Sequence, residues 1–208
     1  MKKQLIKYIV LLAVAALLVY NSVYIKKLDA SISEFDKSKS DPAAFARLFW
    51  DSTFSKAIDS AITLEVFENE FFEKGAALTI NKYSHSQGVS NVAYMLQKFS
   101  GKVKEITEDK IVLTLTNSRT GNISCNVGNY FGNGVRDVTG LIKMGDFINT
   151  IDYNKVSAAL NKIVKTDVIL PVKNRIKIND NLTVVGCVEI REGKLDNEIL
   201  PVKITMNN

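Results

Sequence analysis

Residues 103–116 read Val-Lys-Glu-Ile-Thr-Glu-Asp-Lys-Ile-Val-Leu-Thr-Leu-Thr, and this stretch decides the fold class of the chain. From Ile111 to Thr116 every second residue is a large aliphatic one, as in a strand with one buried face. The polar triplet Glu108-Asp109-Lys110 separates this strand from Val103–Ile106 and is typical of a tight turn. The stretch therefore predicts two antiparallel strands joined by a short turn.

Strand patterns continue on both sides of these two strands. The period changes from helical to strand-like near Asn91, and residues 123–127 alternate again. Near the C terminus, Ile176–Ile178 predicts a short strand, and Pro201 predicts an edge position or an outward-facing residue. Two further rows predict the last strands: Leu182, Val184, Val188 and Ile190, then Leu200, Val202, Ile204 and Met206. Antiparallel strands of this length with one helix between them favour a small closed or partly open barrel.

Helical patterns precede the strands and interrupt them once. Asp41-Pro42 combines a good N-cap with a good first helical residue. A second helix is expected after Thr63, with one face formed by Phe67, Phe71, Lys74 and Leu78. Core packing is the favoured interpretation of this aromatic face, and a ligand groove is the alternative. A third helix near residues 152–166 has an apolar face of Tyr153, Val156, Ala159, Leu160, Ile163 and Val164, which we expect to pack against the barrel.

The N-terminal segment, residues 5–25, is almost entirely apolar and has lysines on both sides. Roughly 20 apolar residues suffice to cross roughly 30 Å of hydrocarbon. A cleaved signal peptide is the alternative, but no A-x-A pattern follows, and Tyr20 and Tyr24 suit a membrane boundary. We therefore favour an uncleaved anchor. Positive-inside counting predicts a single-pass inner-membrane protein with a cytoplasmic N terminus and a periplasmic C-terminal domain.

The charge distribution separates this segment from the rest of the chain. Of 27 basic and 22 acidic residues, five basic ones and no acid lie in the first 27 positions. The remainder is therefore balanced, which argues against a nucleic-acid partner, since such binders carry a basic face on the folded domain. The expected organisation is an anchor at 1–27, a polar spacer at 28–40, a helical segment at 41–90 and a barrel domain at 91–208.

The sequence contains no recognisable catalytic motif. It lacks the H-E-x-x-H, G-x-S-x-G, C-x-x-C and P-loop patterns, and His85 is its only histidine. His85 stands between Ser84 and Ser86, where a hydrogen-bonded loop residue is the favoured interpretation. We expect no enzyme activity, no metal site and no cofactor.

The glycine-rich loop at residues 128–134 invites comparison with a phosphate-binding loop. Such a loop opens a helix, whereas Val135-Arg136-Asp137 is a poor helix start. A barrel loop with positive-φ glycines is therefore predicted. Arg136 and Asp137 either line a pocket at the barrel mouth, where the arginine fork suits hydroxyl-rich or carboxylate ligands, or form an internal network. Together with Tyr130 they are the candidate ligand-binding residues.

The two cysteines, Cys125 and Cys187, raise the possibility of a disulfide in an oxidising compartment. Cys125 shares the parity of Ile123 and Val127. Cys187 has the opposite parity to the apolar row of its own strand. The two sulfur atoms are therefore expected on opposite sides of the sheet, which disfavours a bridge.

Three stretches resemble a family of predicted periplasmic lipoproteins of unknown function. They are residues 82–88 (Lys-Tyr-Ser-His-Ser-Gln-Gly), the glycine-rich segment 128–137 ending in Arg-Asp, and residues 146–161, which begin Asp-Phe-Ile-Asn-Thr-Ile-Asp-Tyr. The resemblance implies a helical N-terminal part followed by a β-barrel related to the OB-fold. Members are often encoded beside sugar ABC transporter components. The chain lacks the cysteine that ends a lipoprotein signal, so a protein anchor replaces lipid attachment.

These observations predict an α+β protein with an N-terminal transmembrane helix, a small helical segment and an OB-like antiparallel β-barrel with one inserted helix. The expected function is that of a non-enzymatic envelope protein anchored through residues 5–25 and accessory to a sugar ABC transporter. The alternative is a barrel that binds a small molecule or oligosaccharide independently of a transporter.

Overall fold

The computed structural model describes residues 39–87 and 91–207. The predicted anchor at 1–27 and nearly all of the predicted spacer lie outside these residues. Within the described part of the chain, no helix combines the length and the apolar character needed to cross a membrane.

The helical segment begins where its capping residues predict. Helix α1 (Pro42–Phe49) starts after Asp41, whose side chain accepts hydrogen bonds from the backbone N–H groups of Ala43 and Ala44. A π-helical turn (Trp50–Phe54) joins α1 to α2 (Ser55–Asp59). The aromatic side chains of this stretch are buried and in mutual contact, namely Phe45, Phe49, Trp50 and Phe54. The helix start and its burial are therefore confirmed.

The second helix is interrupted earlier than its pattern suggests. Helix α3 (Leu64–Lys74) follows the N-cap Thr63 as predicted, but Gly75 adopts φ 87° and ends it. Helix α4 (Ala76–Tyr83) then begins with a new orientation. Leu78 is consequently 69% exposed, and the predicted continuous face from Phe67 to Leu78 is wrong.

The strands close into a barrel. They are β1 (Ile62–Thr63), β2 (His85–Ser86), β3 (Val92–Ile106), β4 (Lys110–Leu115), β5 (Asn122–Asn126), β6 (Asn181–Arg191) and β7 (Lys194–Asn207). β3 pairs with β4, β4 with β5, β5 with β7, β7 with β6, and β6 with β3, so the ring has no open edge. Only the β5–β7 pair of this ring is parallel. β1 and β2 are added to β3, so the helical segment contributes two short strands.

The segment between β5 and β6 carries the inserted helix. It contains α5 (Gly134–Asp137), a 3₁₀ turn (Met144–Asp146), α6 (Thr150–Ile163), a π-helical turn (Val164–Ile169) and α7 (Leu170–Lys173). Helix α6 packs mainly along α1 and α5, and the π-helical turn contacts β7. The inserted helix is thus confirmed, but its main partners are other helices rather than the strands.

The predicted strand at Ile176–Ile178 is wrong. The backbone N–H of Ile176 donates to the Val172 carbonyl, and that of Asp180 donates to the Lys177 carbonyl. These local bonds turn the chain, and Asn179 adopts φ 75° before β6 begins.

A bulge in β7 explains the position of Pro201. β7 lies between β5 and β6, and Pro201 is buried, so neither an edge position nor an outward-facing residue describes it. The β6–β7 register shifts between Val185 and Gly186, which leaves Val202 as an extra residue next to Pro201. A proline is tolerated beside a bulge because the ladder is already interrupted there.

The same bulge changes which side chains of β7 share a face. Ile204 pairs with Val184, whereas beyond the bulge it is Ile199, not Leu200, that pairs with Val188. The predicted single row from Leu200 to Met206 is therefore split between the two faces of the strand.

Candidate functional site

Arg136 and Asp137 form a buried ion pair on the single turn α5, which packs against β6. Arg136 Nε lies 2.6 Å from Asp137 Oδ1, and Nη2 lies 3.0 Å from Oδ2. The two side chains are only 4% and 7% exposed. This two-point geometry is the strong form of the arginine–carboxylate contact.

Helix α6 holds the pair from the other side. The Arg136 guanidinium lies 3.6 Å from the centre of the Tyr153 ring, and the Tyr153 hydroxyl donates to Asp137 Oδ1 at 3.3 Å. Arg136 Nη1 donates to the Tyr153 carbonyl and to Asn154 Oδ1. Burial raises the pKa of the Tyr153 phenol, which keeps it protonated as a donor.

The hydrogen bonds described above leave one donor of Arg136 and one acceptor of Asp137 unused. A guanidinium carries five N–H groups, and these contacts use four of them. One Nη2 hydrogen has no partner among the described residues. On the adjacent oxygen, Asp137 Oδ2 accepts only the Nη2 bond among those same residues, so it keeps acceptor capacity. A donor and an acceptor therefore stand side by side.

The pair forms one wall of a cavity of about 500 Å³, which we name the Arg136 cavity. Its lining residues are Gln87, Val92, Tyr94, Asn133, Arg136, Asp137, Met144 and Tyr153. Burial raises the pKa of Tyr94 to about 12, so its hydroxyl remains a neutral donor at physiological pH. The cavity thus combines two aromatic rings with amide groups and a charge-compensated ion pair.

Of the sequence-predicted residues, the structure brings Arg136 and Asp137 together but places Tyr130 elsewhere. The Tyr130 hydroxyl lies next to Gly134 of α5, and a Cβ atom added to Gly134 would be 3.1 Å from it. Burial raises the pKa of the Tyr130 phenol. It lines a separate cavity beside α6. Arg136 belongs to an internal network with Asp137 and also lines a cavity, and its role in ligand binding stays a prediction.

The glycines of the 128–134 loop allow close approach rather than positive φ. A Cβ atom on Gly134 would lie 2.9 Å from Cys187 Sγ, and one on Gly128 would lie 2.3 Å from Asp109 Oδ1. The positive-φ glycines of the described chain are Gly75, Gly121, Gly140 and Gly193. The prediction of positive-φ positions in this loop is wrong, and so is the expectation that no helix follows, because Gly134–Asp137 forms one turn.

Six of the eight residues that line the Arg136 cavity were not among the predicted ligand-binding residues, and three of them come from separate parts of the fold. Tyr94 comes from β3, Asn133 from the loop and Tyr153 from α6. Tyr153 was assigned to the apolar face of its helix, and nothing local distinguishes Tyr94 from other strand tyrosines. The pairing of β3 with β6 brings Tyr94 near Arg136, and the packing of α6 against α5 brings Tyr153.

The cysteines lie on opposite faces of the sheet. Cys125 pairs with Ile199, which pairs with Val188, whereas Cys187 pairs with Leu200. Both are free thiols and buried. Burial raises the pKa of Cys125 to about 12 and also raises that of Cys187.

His85 lies in β2, exposed and paired with Tyr94. A Cβ atom on Gly140 would lie 3.0 Å from His85 Nδ1, so the ring covers that turn. Within residues 39–87 and 91–207, no group of three or more His, Cys, Asp or Glu side chains is arranged to hold a metal ion.

Comparison with known proteins supports the fold. The structure of an OB-fold protein from Thermotoga maritima is similar, with a TM-score of 0.69 and 23% sequence identity, over 80% of this chain and 98% of that one. At this identity the likeness concerns the fold alone. It confirms the expected OB-like barrel. No curated protein matches the chain.

A family model described as "Predicted periplasmic lipoprotein (DUF2291)" matches residues 13–205. The match agrees with the three resembling stretches at 82–88, 128–137 and 146–161, and it indicates an extracytoplasmic location. The chain therefore belongs to this family of predicted periplasmic lipoproteins, whose function is unknown.

Proposed function

We propose that the protein is a non-catalytic, membrane-anchored module that binds a neutral, hydroxyl-rich small molecule in the Arg136 cavity. The observation that carries the proposal is the adjacent spare donor and acceptor of the buried Arg136–Asp137 pair. A hydroxyl group both donates and accepts, so it satisfies both at once. Because the ion pair is charge-compensated, it does not require a charged ligand.

The remaining walls suit the same class of ligand. The face of Tyr94 can cover the C–H surface of a sugar ring, and Gln87 and Asn133 supply amide groups. A volume of about 500 Å³ is within the range of small-molecule sites. The apolar residues 5–25 and the absence of a cysteine before position 125 support a protein anchor in place of a lipid.

A calorimetric titration of the full-length protein with glucose, ribose and inositol tests this proposal. We expect at least one of them to bind with Kd below about 1 mM, and Tyr94→Phe to weaken it by about three- to tenfold. The matched control is Tyr83→Phe, which removes a hydroxyl that donates to Glu70 outside the cavity. Absence of binding to all three compounds, or equal weakening by both variants, contradicts the proposal.

A second candidate function, as accessory to a sugar ABC transporter, is supported by exposed apolar side chains next to the cavity. Met144 lines the cavity and is 56% exposed, and Leu141, Ile148 and Ile151 of the same segment are 58%, 92% and 67% exposed. Exposed apolar groups close together in sequence favour a protein partner.

Co-purification from detergent-solubilised membranes tests the accessory role. We expect transporter subunits to accompany the protein and to be lost with Ile148→Glu. The control is Ile178→Glu, at a position that is 60% exposed and outside this segment. Purification of the unaltered protein without transporter subunits rules the accessory role out and leaves an independent binding module.

A further inference from the structure

A second cavity lies beside the Arg136 cavity and shares Asn133 with it, and we name it the α6 cleft. It has a volume of about 480 Å³ and lies between the loop 128–133 and one face of α6 with the turn that follows. The polar groups on that face are Asn154, Ser157, Asn161, Lys162 and Lys165. Asn154, Ser157, Asn161 and Lys165 follow one another at intervals of three or four residues and so lie along one stripe, and Lys162 lies next to Asn161.

Asn161 presents an unsatisfied acceptor in this cleft. Its Nδ2 donates to the Gly132 carbonyl at 2.8 Å, which fixes the orientation of the amide because a carbonyl oxygen only accepts. Its Oδ1 is buried and has no hydrogen-bond partner among the described residues. A buried acceptor left unpaired is unfavourable, so the cleft favours an occupant that brings an O–H or N–H donor.

The cleft is also positively charged. Lys162 and Lys165 line it, and none of its lining residues is acidic. Lys165 Nζ donates to Asn129 Oδ1 at 2.6 Å, a neutral acceptor. Among the described residues, neither lysine takes part in the ion pairs of the structure. Two uncompensated ammonium groups favour an anionic occupant.

We infer that the α6 cleft is a second binding site, for a small anion that also carries hydroxyl groups, such as a phosphorylated or carboxylated sugar. The anionic group lies between Lys162 and Lys165, and a hydroxyl group donates to Asn161 Oδ1. Ser157 already donates to Asn133 Oδ1 at 3.0 Å, so its oxygen accepts a further hydroxyl proton. This site differs in charge from the neutral Arg136 cavity, and the inference does not rest on the proposed neutral ligand.

Calorimetry of the full-length protein with four probes tests the inference. Glucose 6-phosphate and gluconate carry both features, inorganic phosphate carries the charge without the sugar hydroxyls, and glucose carries only the hydroxyls. We expect at least one of the first two to bind about tenfold more tightly than phosphate and glucose. Tyr94→Phe, which weakens a neutral ligand in the Arg136 cavity, should leave this binding unchanged. Comparing glucose 6-phosphate with gluconate also shows whether the site prefers a phosphate or a carboxylate as the anionic group.

The double variant Lys162→Gln/Lys165→Gln should weaken that binding about tenfold or more, because it removes both charges at little change in side-chain length. The matched control is Lys102→Gln/Lys104→Gln, which makes the same change in net charge at exposed positions of β3. Asn161→Ala should weaken the binding of the sugar anions but not the binding of inorganic phosphate. If this variant fails to fold, the comparison of phosphate with glucose 6-phosphate tests the same contact.

Two results overturn the inference. One is the absence of saturable binding of either sugar anion below about 10 mM. The other is equal loss of binding in the Lys162/Lys165 and Lys102/Lys104 variants. Neither result affects the proposed neutral ligand, because Tyr94, whose variant tests that ligand, does not line the α6 cleft.

Discussion

At the scale of single residues, the Arg136–Asp137 pair is the most consequential feature of the molecule. Both side chains are buried, and each pairs with the other and contacts Tyr153. Such a pair adds little stability over an apolar replacement of the same shape, but breaking it leaves one buried charge without its counter-ion.

Arg136→Ala should lower the free energy of unfolding by about 3–5 kcal/mol, because it strands the Asp137 carboxylate. Urea denaturation measures the change. The double variant Arg136→Met/Asp137→Leu should lose less than Arg136→Ala alone. The surface control is Arg47→Ala, whose 43% exposed side chain pairs with Asp51 and Asp167 and should cost about 1 kcal/mol or less. Equal costs for Arg136→Ala and Arg47→Ala would contradict the buried pair.

The carboxylate of Glu68 makes the stability of the protein depend on pH. Its carboxylate accepts hydrogen bonds from the Ser118 hydroxyl, from the backbone N–H groups of Arg119 and Thr120, and from the Thr120 hydroxyl. Partial burial raises the pKa of Glu68, but these hydrogen bonds outweigh burial and hold it below its ordinary value of 4.5. The contact therefore ties α3 to the loop between β4 and β5.

Because the pKa of Glu68 is lowered on folding, the carboxylate stabilises the protein above about pH 4.5 and loses its effect as the pH falls through the folded-state pKa. Glu68→Gln should cost on the order of 1 kcal/mol near neutral pH, and the difference from the unaltered protein should shrink below about pH 4.5. Denaturation across this pH range measures it, with the exposed Glu73→Gln as control. If the difference in stability between Glu68→Gln and the unaltered protein did not change with pH, the stabilising role of the Glu68 carboxylate would be refuted.

At the scale of elements, α6 joins the helical segment to both candidate sites. Its buried side packs along α1, with Leu160 fully buried, while Tyr153 and Asn154 reach Arg136 and the stripe from Asn154 to Lys165 forms the α6 cleft. One helix therefore positions residues for two cavities. Loosening its packing is expected to disturb both.

Leu160→Ala should lower the free energy of unfolding by about 2–5 kcal/mol, the usual range for truncating a buried leucine. The control on the same helix is Ile151→Ala, at a position that is 67% exposed, which should change stability by about 0.5 kcal/mol or less. Thermal and urea denaturation of the two variants give the comparison. A cost for Leu160→Ala as small as that for Ile151→Ala would mean that α6 is not part of the core.

At the scale of the whole molecule, the closed ring of β3, β4, β5, β7 and β6 leaves no unpaired barrel edge, and the helices cover part of its outside. A single connected core runs from Phe45 in α1 to Val202 in β7. We therefore expect the part of the chain beyond residue 38 to fold without the N-terminal segment.

The full-length protein should remain with membranes after an alkaline wash, whereas a chain starting near Ser38 should be soluble and show cooperative unfolding. The reason is that the apolar residues 5–25 are long enough to span a bilayer, while the rest has balanced charge and its own core. Fractionation and N-terminal sequencing of the mature protein measure both. A mature N terminus near Ser22 or Lys26 on a soluble protein would show a cleaved signal instead.

The sequence by itself determined those features that depend on neighbouring residues. Asp41-Pro42 and Thr63 begin helices because side-chain caps act within one turn. The alternation at 103–116 predicts its two paired strands because successive strand residues face opposite sides. The opposite faces of Cys125 and Cys187 follow from the same period.

Only the tertiary structure decided the features that depend on residues distant in sequence. The extra residue Val202 moves Ile199 onto the face of Val188, and the period of the strand carries no sign of that shift. Tyr94 reaches the Arg136 cavity because β3 closes the barrel on β6, and Asn161 meets the Gly132 carbonyl because α6 lies over the loop. Pairing and packing over such distances depend on the closure of the whole chain, whereas caps and periods are properties of short segments.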